Sequence, residues 1–320
     1  MKNNLLINTA ISSIPPLIKG GFALIKTFFF FLFIVLFLQA CFQTKTHADG
    51  TKVFRVSDGK TITFGQMLDD LRKVNIILVG EVHNQEAHHR LQFDVIRALK
   101  EAKSPVAVGF EMFIADNQSI LDQWVAGTMS SDAFINAYYA NWNFPWLLYR
   151  DIFLYLRENK IPAAGLNISP EITIKISVSG FSSLTKEELA KLPPETGCAV
   201  DEKYMKFIRR AYAMHGHGGK QFINFCEAQL IWDQVMARNL IGFLAKNPDK
   251  TLVALTGNGH AWKRGIPDQL KTQSEKTRYR VVLPHIPGYI EPGSITAEDA
   301  DYILLQCYVI IVHSGRSAAW

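Results

Sequence analysis

The sequence has 320 residues, with 34 Lys and Arg against 29 Asp and Glu, 48% hydrophobic and 20% charged residues. That balance excludes disordered, collagen-like and low-complexity chains, and the length suits one large α/β domain or two smaller ones. The apolar content is uneven, because six of the 21 Phe fall between Phe28 and Phe37.

That stretch, Phe28 to Leu38, is an uninterrupted apolar run of 11 residues behind Lys19 and Lys26. A membrane-spanning helix needs roughly 20 residues, so the run suits the core of a signal peptide better than an anchor. It ends in Leu38-Gln39-Ala40-Cys41, which resembles a bacterial lipobox, in which the Cys is lipidated and becomes the mature N-terminus. The expectation is a lipoprotein signal peptide over 1–40 and a polar tether over 41–50, with an uncleaved anchor as the alternative. Such a protein is exported and held at a bacterial membrane, inner or outer. Without its presequence the chain carries 31 basic against 29 acidic residues, too even a balance to argue for nucleic acid. Cys198, Cys226 and Cys307 form no CxxC pair, so neither a disulfide framework nor a Cys-type zinc site is indicated.

In chain order, Lys52–Val56 and Thr61–Phe64 alternate apolar and polar residues around Asp58-Gly59, the signal of a β-hairpin. A short amphipathic helix over about Phe64–Lys73 leads into Asn75–Gly80, whose continuous branched residues predict a strand buried on both faces. Further strands are predicted at Val106–Phe110, Pro162–Leu166, Thr251–Thr256, Tyr279–Leu283 and Tyr302–Leu305. Helices over about Glu86–Lys100, Leu147–Glu158 and Gln221–Ala245 separate them. Strands alternating with helices specify a mostly parallel sheet flanked by helices on both faces. The excess helix in about 113–160 and 170–245 is expected to gather into a smaller all-helical subdomain of a 51–305 domain. Residues 306–320 read as a tail.

Three polar clusters follow three strands: Gly80-Glu81-Val82-His83, Gly109-Phe110-Glu111 and Gly257-Asn258-Gly259-His260. Ligands of open parallel sheets bind at the carboxyl ends of the strands, so His83, Glu111 and His260 are expected to meet there across 177 positions. Two imidazoles and a carboxylate suit a divalent metal, or acid–base chemistry without one. The plainer reading is that each is a loop residue, and that Glu81 caps the following helix. His88 and His89, on the first turns of that helix, read as solvated. There is no nucleophile elbow, P-loop or dinucleotide fingerprint.

The Gly-Glu-Val-His, Gly-Phe-Glu-Met-Phe and Gly-Asn-Gly-His segments resemble those of the ChaN-like lipoproteins. These are the haem-binding branch of the Tiki/TraB/erythromycin-esterase-like superfamily. Glu227–Ala237, which includes Asp233, is similar to that group's long-helix motif, and the resemblance spans about 52–305. Trp232 stands where enzyme-like relatives often carry an Arg, a departure that argues against hydrolysis. The resemblance implies a membrane lipoprotein that binds haem for iron uptake, dimerises, and passes its cargo to or from an outer-membrane haem receptor. A metal-dependent hydrolase built on His83, Glu111 and His260 is the rival.

Haem requires an axial donor, apolar walls and cations for its propionates. Lys203–His217 offers all three. Tyr204, Ile208, Tyr212 and His215 fall on one helical stripe, with Lys203, Arg209 and Arg210 beside it. Tyr204 and Tyr212 are the candidate axial ligands, and His215 and His217 candidate propionate partners, set against simple core packing. The aromatic block Tyr138, Tyr139, Trp142, Phe144, Trp146 and Tyr149 either walls the pocket or packs the helical region.

Overall fold

Among the described residues eight strands form one sheet, in the order β2-β1-β8-β7-β3-β6-β4-β5. They are β1 (Lys52–Arg55), β2 (Lys60–Thr63), β3 (Ile76–Glu81), β4 (Val106–Ile114), β5 (Ala163–Asn167), β6 (Thr251–Gly257), β7 (Tyr279–Pro284) and β8 (Tyr302–Leu305). The computed structural model describes residues 50–305 except 195, 212–219 and 275. Cys41, Tyr212, His215, His217 and the 306–320 tail therefore lie outside the described residues. From β8 to β5 every pairing is parallel, and β1 runs antiparallel to both β2 and β8. The hairpin turns at Asp58-Gly59, where Gly59 takes φ 70°, a left-handed conformation that a residue without Cβ adopts at no steric cost.

Every residue of β3 and of β6 is buried, because helices cover both faces. Alternate side chains serve the two sides. Ile77, Val79, Val108 and Val253 pack with helices α1 (Phe64–Leu71), α2 (Glu86–Glu101), α3 (Gln118–Ala126), α4 (Ser131–Asn141) and α5 (Trp146–Glu158). Ile76, Leu78, Ala107 and Leu252 pack on the other side, with residues of α8 (Glu202–Ala211), α9 (Lys220–Lys246), α10 (Asn258–Ala261) and α11 (Ile266–Gln273). Helices α6 (Pro170–Ser179) and α7 (Lys186–Leu189) follow β5, and α6 shares a smaller apolar cluster with α9.

Both helix-rich stretches are thus present, but they divide between the faces of the sheet instead of gathering together. The physical reason is that each face of a parallel sheet exposes apolar side chains that only a packed layer can cover. The first side carries Tyr138, Trp146 and Tyr149 of the aromatic block together with further rings, among which Phe110 stacks on Phe153 at 4.4 Å and Trp124 on Phe134 at 4.1 Å. Each such fully buried ring contributes about 1.5–3 kcal/mol of transfer free energy.

The chain leaves β3 for β4, adds β5 beyond it, and returns to insert β6 between β3 and β4. It then crosses to β7 on the far side of β3. Connections therefore diverge at the β3/β6 boundary, where Glu81 is in register with Gly257. That boundary is where an open α/β sheet leaves a crevice.

Candidate functional site

Each strand delivers its polar residue to this crevice by its own local device. Glu81 is the last residue of β3, and its parity with Ile77 and Val79 turns it toward α2 and α5. His83 follows two residues later, and its ring lies across Gly257, where an added Cβ would sit 3.0 Å from His83 Cε1. A Cβ there would oblige the ring to give by a few tenths of an ångström, a displacement that glycine avoids. Glu111 sits where the β4–β5 register slips between Phe110 and Ile114, and Asn167 Nδ2 donates to its carbonyl at 2.8 Å. A register irregularity re-aims a side chain, and here it turns a carboxylate into the crevice. His260 rides on the single turn α10, directly after β6.

The result is a chain of acids and imidazoles running from one face of the sheet to the other. Glu111 Oε1 lies 4.0 Å from His83 Nε2 and 3.8 Å from His260 Nε2, and its Oε2 accepts the Gly257 amide at 2.6 Å. Each imidazole is backed by a second carboxylate: His83 Nδ1 by Glu81 at 2.7 Å, and His260 Nδ1 by Asp233 of α9 at 2.7 Å. Beyond Asp233, Tyr204 Oη donates to Oδ2 at 3.0 Å. Beyond Glu81, the carboxylate takes the hydroxyl of Tyr149 and pairs with His89 Nδ1 at 3.1 Å. Carboxylate–imidazole pairing fixes the tautomer and orientation of each ring, leaving both Nε2 atoms directed at one oxygen of Glu111.

The charges follow from this packing. Burial works to raise the Glu81 carboxyl, but hydrogen bonds from His83 and His89 outweigh it and hold the group below the usual carboxylate range. Burial lowers His83 and His260, yet the surrounding Glu81, Glu111 and Asp233 raise both above an ordinary imidazole. Burial pushes the Asp233 carboxyl up, against the His260 and Tyr204 contacts that favour its charged form. Glu81, Glu111, Asp233 and His260 are all at most 5% exposed, whereas the His83 side chain is 27% exposed and forms the opening.

Several sequence expectations are corrected here. His88 and His89 are buried, not solvated, because the first turns of α2 tuck under the strand ends. His88 Nδ1 accepts the Val82 amide at 3.0 Å, and His89 Nε2 meets the His83 carbonyl at 3.0 Å. Glu81 does not cap α2, whose N-cap is Gln85 with no side-chain hydrogen bond. The aromatic block divides. Tyr138, Trp146 and Tyr149 belong to the core, while Trp142 and Phe144 lie against the His83 ring at 5.0 and 5.1 Å. Tyr149 and His89 are site residues that motif reading missed, since neither stands next to a strand end in sequence.

Among the haem candidates, Tyr204 is buried and engaged with Asp233, and Lys203 is exposed on the same helix. Arg209 stacks over Phe222 at 4.5 Å. Arg210 pairs with Asp299 at 2.9 Å and covers Trp262 at 4.8 Å, with its side chain still partly exposed. Trp232, the departure from the enzyme-like pattern, donates its indole N–H to Asn167 and sets its ring edge-on to His260 at 5.5 Å. The same Trp232 closes a groove of about 380 Å³ between α6 and α9, lined by Thr173, Ile174, Ser177, Val178, Phe225, Ala228 and Gln229.

The metal alternative finds no support. Among the described residues no group of three or more His, Cys, Asp or Glu side chains is placed to hold a metal ion.

The family described as haem-binding uptake, Tiki superfamily, ChaN matches residues 67–270, which include every member of the crevice. The chain belongs to that family. Among solved structures, ChaN of Campylobacter jejuni, described with cofacial haem binding, is similar at 22% identity with a TM-score of 0.63. The match covers 80% of this chain and 96% of that one. The fold is therefore the ChaN fold. Erythromycin esterase EreC in its open conformation is similar at 12% identity with a TM-score of 0.45, over 76% of this chain and 78% of that one. No curated relative matches the sequence. Within the family frame the crevice and the α8–α9 region are parts of one matched domain, and the tether and tail fall outside it.

Proposed function

We propose that the protein binds haem and serves bacterial iron uptake as an exported lipoprotein, anchored through a lipid on Cys41. Family membership over residues 67–270 carries the reading. The groove beside α9 supports it, because its walls are mainly apolar and Trp232 and Phe225 offer aromatic faces for a porphyrin. The Tyr212–His217 segment stands just before α9 in sequence, with Lys203 and Arg209 on the preceding helix for propionate charge. Tyr212 is the stronger axial candidate, since the Tyr204 oxygen already serves Asp233. The remaining parts of the reading are a homodimer formed around haem, His215, His217 and Arg210 near the propionates, and transfer to or from an outer-membrane receptor.

Haemin titration of the purified protein tests it. A saturable Soret shift is expected, with the ferric phenolate band lost in Tyr212→Phe and kept in Tyr204→Phe. No shift above that of an unrelated control protein rules haem binding out.

A second reading is favoured by the two Nε2 atoms converging on Glu111, each backed by its own carboxylate. That arrangement suits metal-free acid–base chemistry on a substrate entering past His83. Haem-free protein assayed against a panel of activated esters decides it, with activity expected to vanish in Glu111→Gln and His260→Gln.

A further inference from the structure

We propose that Asn167 is a positioning residue shared by the crevice and the α6–α9 groove, so that what happens in one is felt in the other. Asn167 ends β5 and is 8% exposed. Its Nδ2 donates to the Glu111 carbonyl at 2.8 Å, where the pairing of β4 with β5 is irregular. Its Oδ1 accepts the Trp232 indole N–H and, at 2.8 Å, the amide of Ile168. Ile168 belongs to the apolar cluster that α6 shares with α9. One side-chain amide therefore ties the backbone that carries Glu111 to the ring that closes the groove. The amide is a rigid plane, with its donors on one atom and its acceptor on another, so a turn forced at either end is imposed on both.

Trp232 is the part of this link that a ligand meets. Its ring lines the groove with Phe225 and Ile174 and stands edge-on to His260 at 5.5 Å. The indole has a single N–H, already given to Asn167. A planar aromatic ligand that draws the ring toward the groove pulls against that bond and against the His260 contact. Asp233, the next residue on α9, holds His260 Nδ1, and His260 Nε2 lies 3.8 Å from Glu111. Coupling of this kind is reciprocal, so a change at Glu111 alters the affinity of the groove. A porphyrin as the occupant rests on the haem reading, whereas the link from Glu111 through Asn167 to Trp232 does not.

Protoporphyrin IX, which has no iron to ligate, reports on the groove by fluorescence titration of the purified protein. Glu111→Gln is expected to change its affinity at least about fivefold. In a Trp232→Phe background, which keeps a ring but has no N–H, the same substitution should change it by about twofold or less. Lys73→Glu, in the cleft at the far end of the sheet, should have no effect. An unchanged affinity in Glu111→Gln overturns the coupling, and so does an equal effect with and without the Trp232 N–H. Should Glu111→Gln not fold, His83→Gln takes its place, since His83 Nε2 lies 4.0 Å from Glu111 at the exposed opening. If neither protoporphyrin IX nor haemin binds, the haem reading falls and the link is decided by nuclear magnetic resonance. The indole N–H signal of Trp232, identified by its loss in Trp232→Phe, is expected to shift in Glu111→Gln and not in Lys73→Glu. An unmoved signal overturns the proposal.

Discussion

The two ends of the sheet solve opposite problems with similar residues. At the amino end, Asp70 takes two hydrogen bonds from Arg280 and one from Tyr302, and Lys263 pairs with Asp301 at 2.7 Å. These groups line open, polar clefts and remain partly exposed, so water shares their charge. At the carboxyl end, Glu81, Glu111 and Asp233 are sealed beneath aromatic rings, and every neighbour must satisfy them. The same chemistry is inexpensive surface decoration at one end and a desolvated network at the other. The difference is that a buried charge costs several kcal/mol unless its partners are all in place.

The comparison can be broken most directly at Glu81. Glu81→Gln should cost about 3–5 kcal/mol in urea unfolding, because it leaves two buried imidazoles without their shared anion. A smaller loss is expected for Tyr149→Phe, about 1–3 kcal/mol, since one donor to a buried carboxylate disappears while the ring stays packed. Next comes a pH effect. Burial depresses His88 from 6.5 to about 4, so the unfolded chain binds more protons between those values. Its contribution is fully present above the unfolded value and is lost as pH falls from about 6.5 toward 4. His83 and His89, raised by their carboxylate partners, act with the opposite sign. Replacing His88 with Asn, whose oxygen can still accept the Val82 amide, should flatten the acid limb of the stability curve by up to about 1.4 kcal/mol per pH unit. Least affected should be Asp70→Asn at the amino end, at no more than about 1 kcal/mol and diminishing with added salt. An Asp70→Asn loss equal to that of Glu81→Gln would erase the distinction between the ends.

Much of this architecture was legible in the residues. The unbroken apolar runs of β3 and β6 announce strands buried on both faces. Their Gly-x-x-His continuations announce a shared edge, because parallel strands must end together. Glu111 and Asp233 were legible as candidates through the family resemblance and the strand-end rule. What could not be read was which layer each helix joins. Periodicity says that α5 has an apolar face, but not that the face places Tyr149 against Glu81, 68 positions away. The burial of His88 and His89 was hidden for the same reason: a histidine at a helix start looks solvated until the opposing strand end is known. Trp232 was noted as a departure, yet its role as the wall between His260 and the α6–α9 groove needed the packing of α9 against β5.

The pairing of β1 with β8 bears on how the molecule is made. Val53 sits opposite Leu304, so the hairpin that begins the described chain gains its sheet partner only from the end of it. Closing a contact across about 250 positions is slow, and the β7-side edge stays open until the last strand has been delivered. The sheet therefore cannot be completed until Tyr302–Leu305 have been made, and whatever carries or shields the nascent chain before then meets it with that edge unsealed.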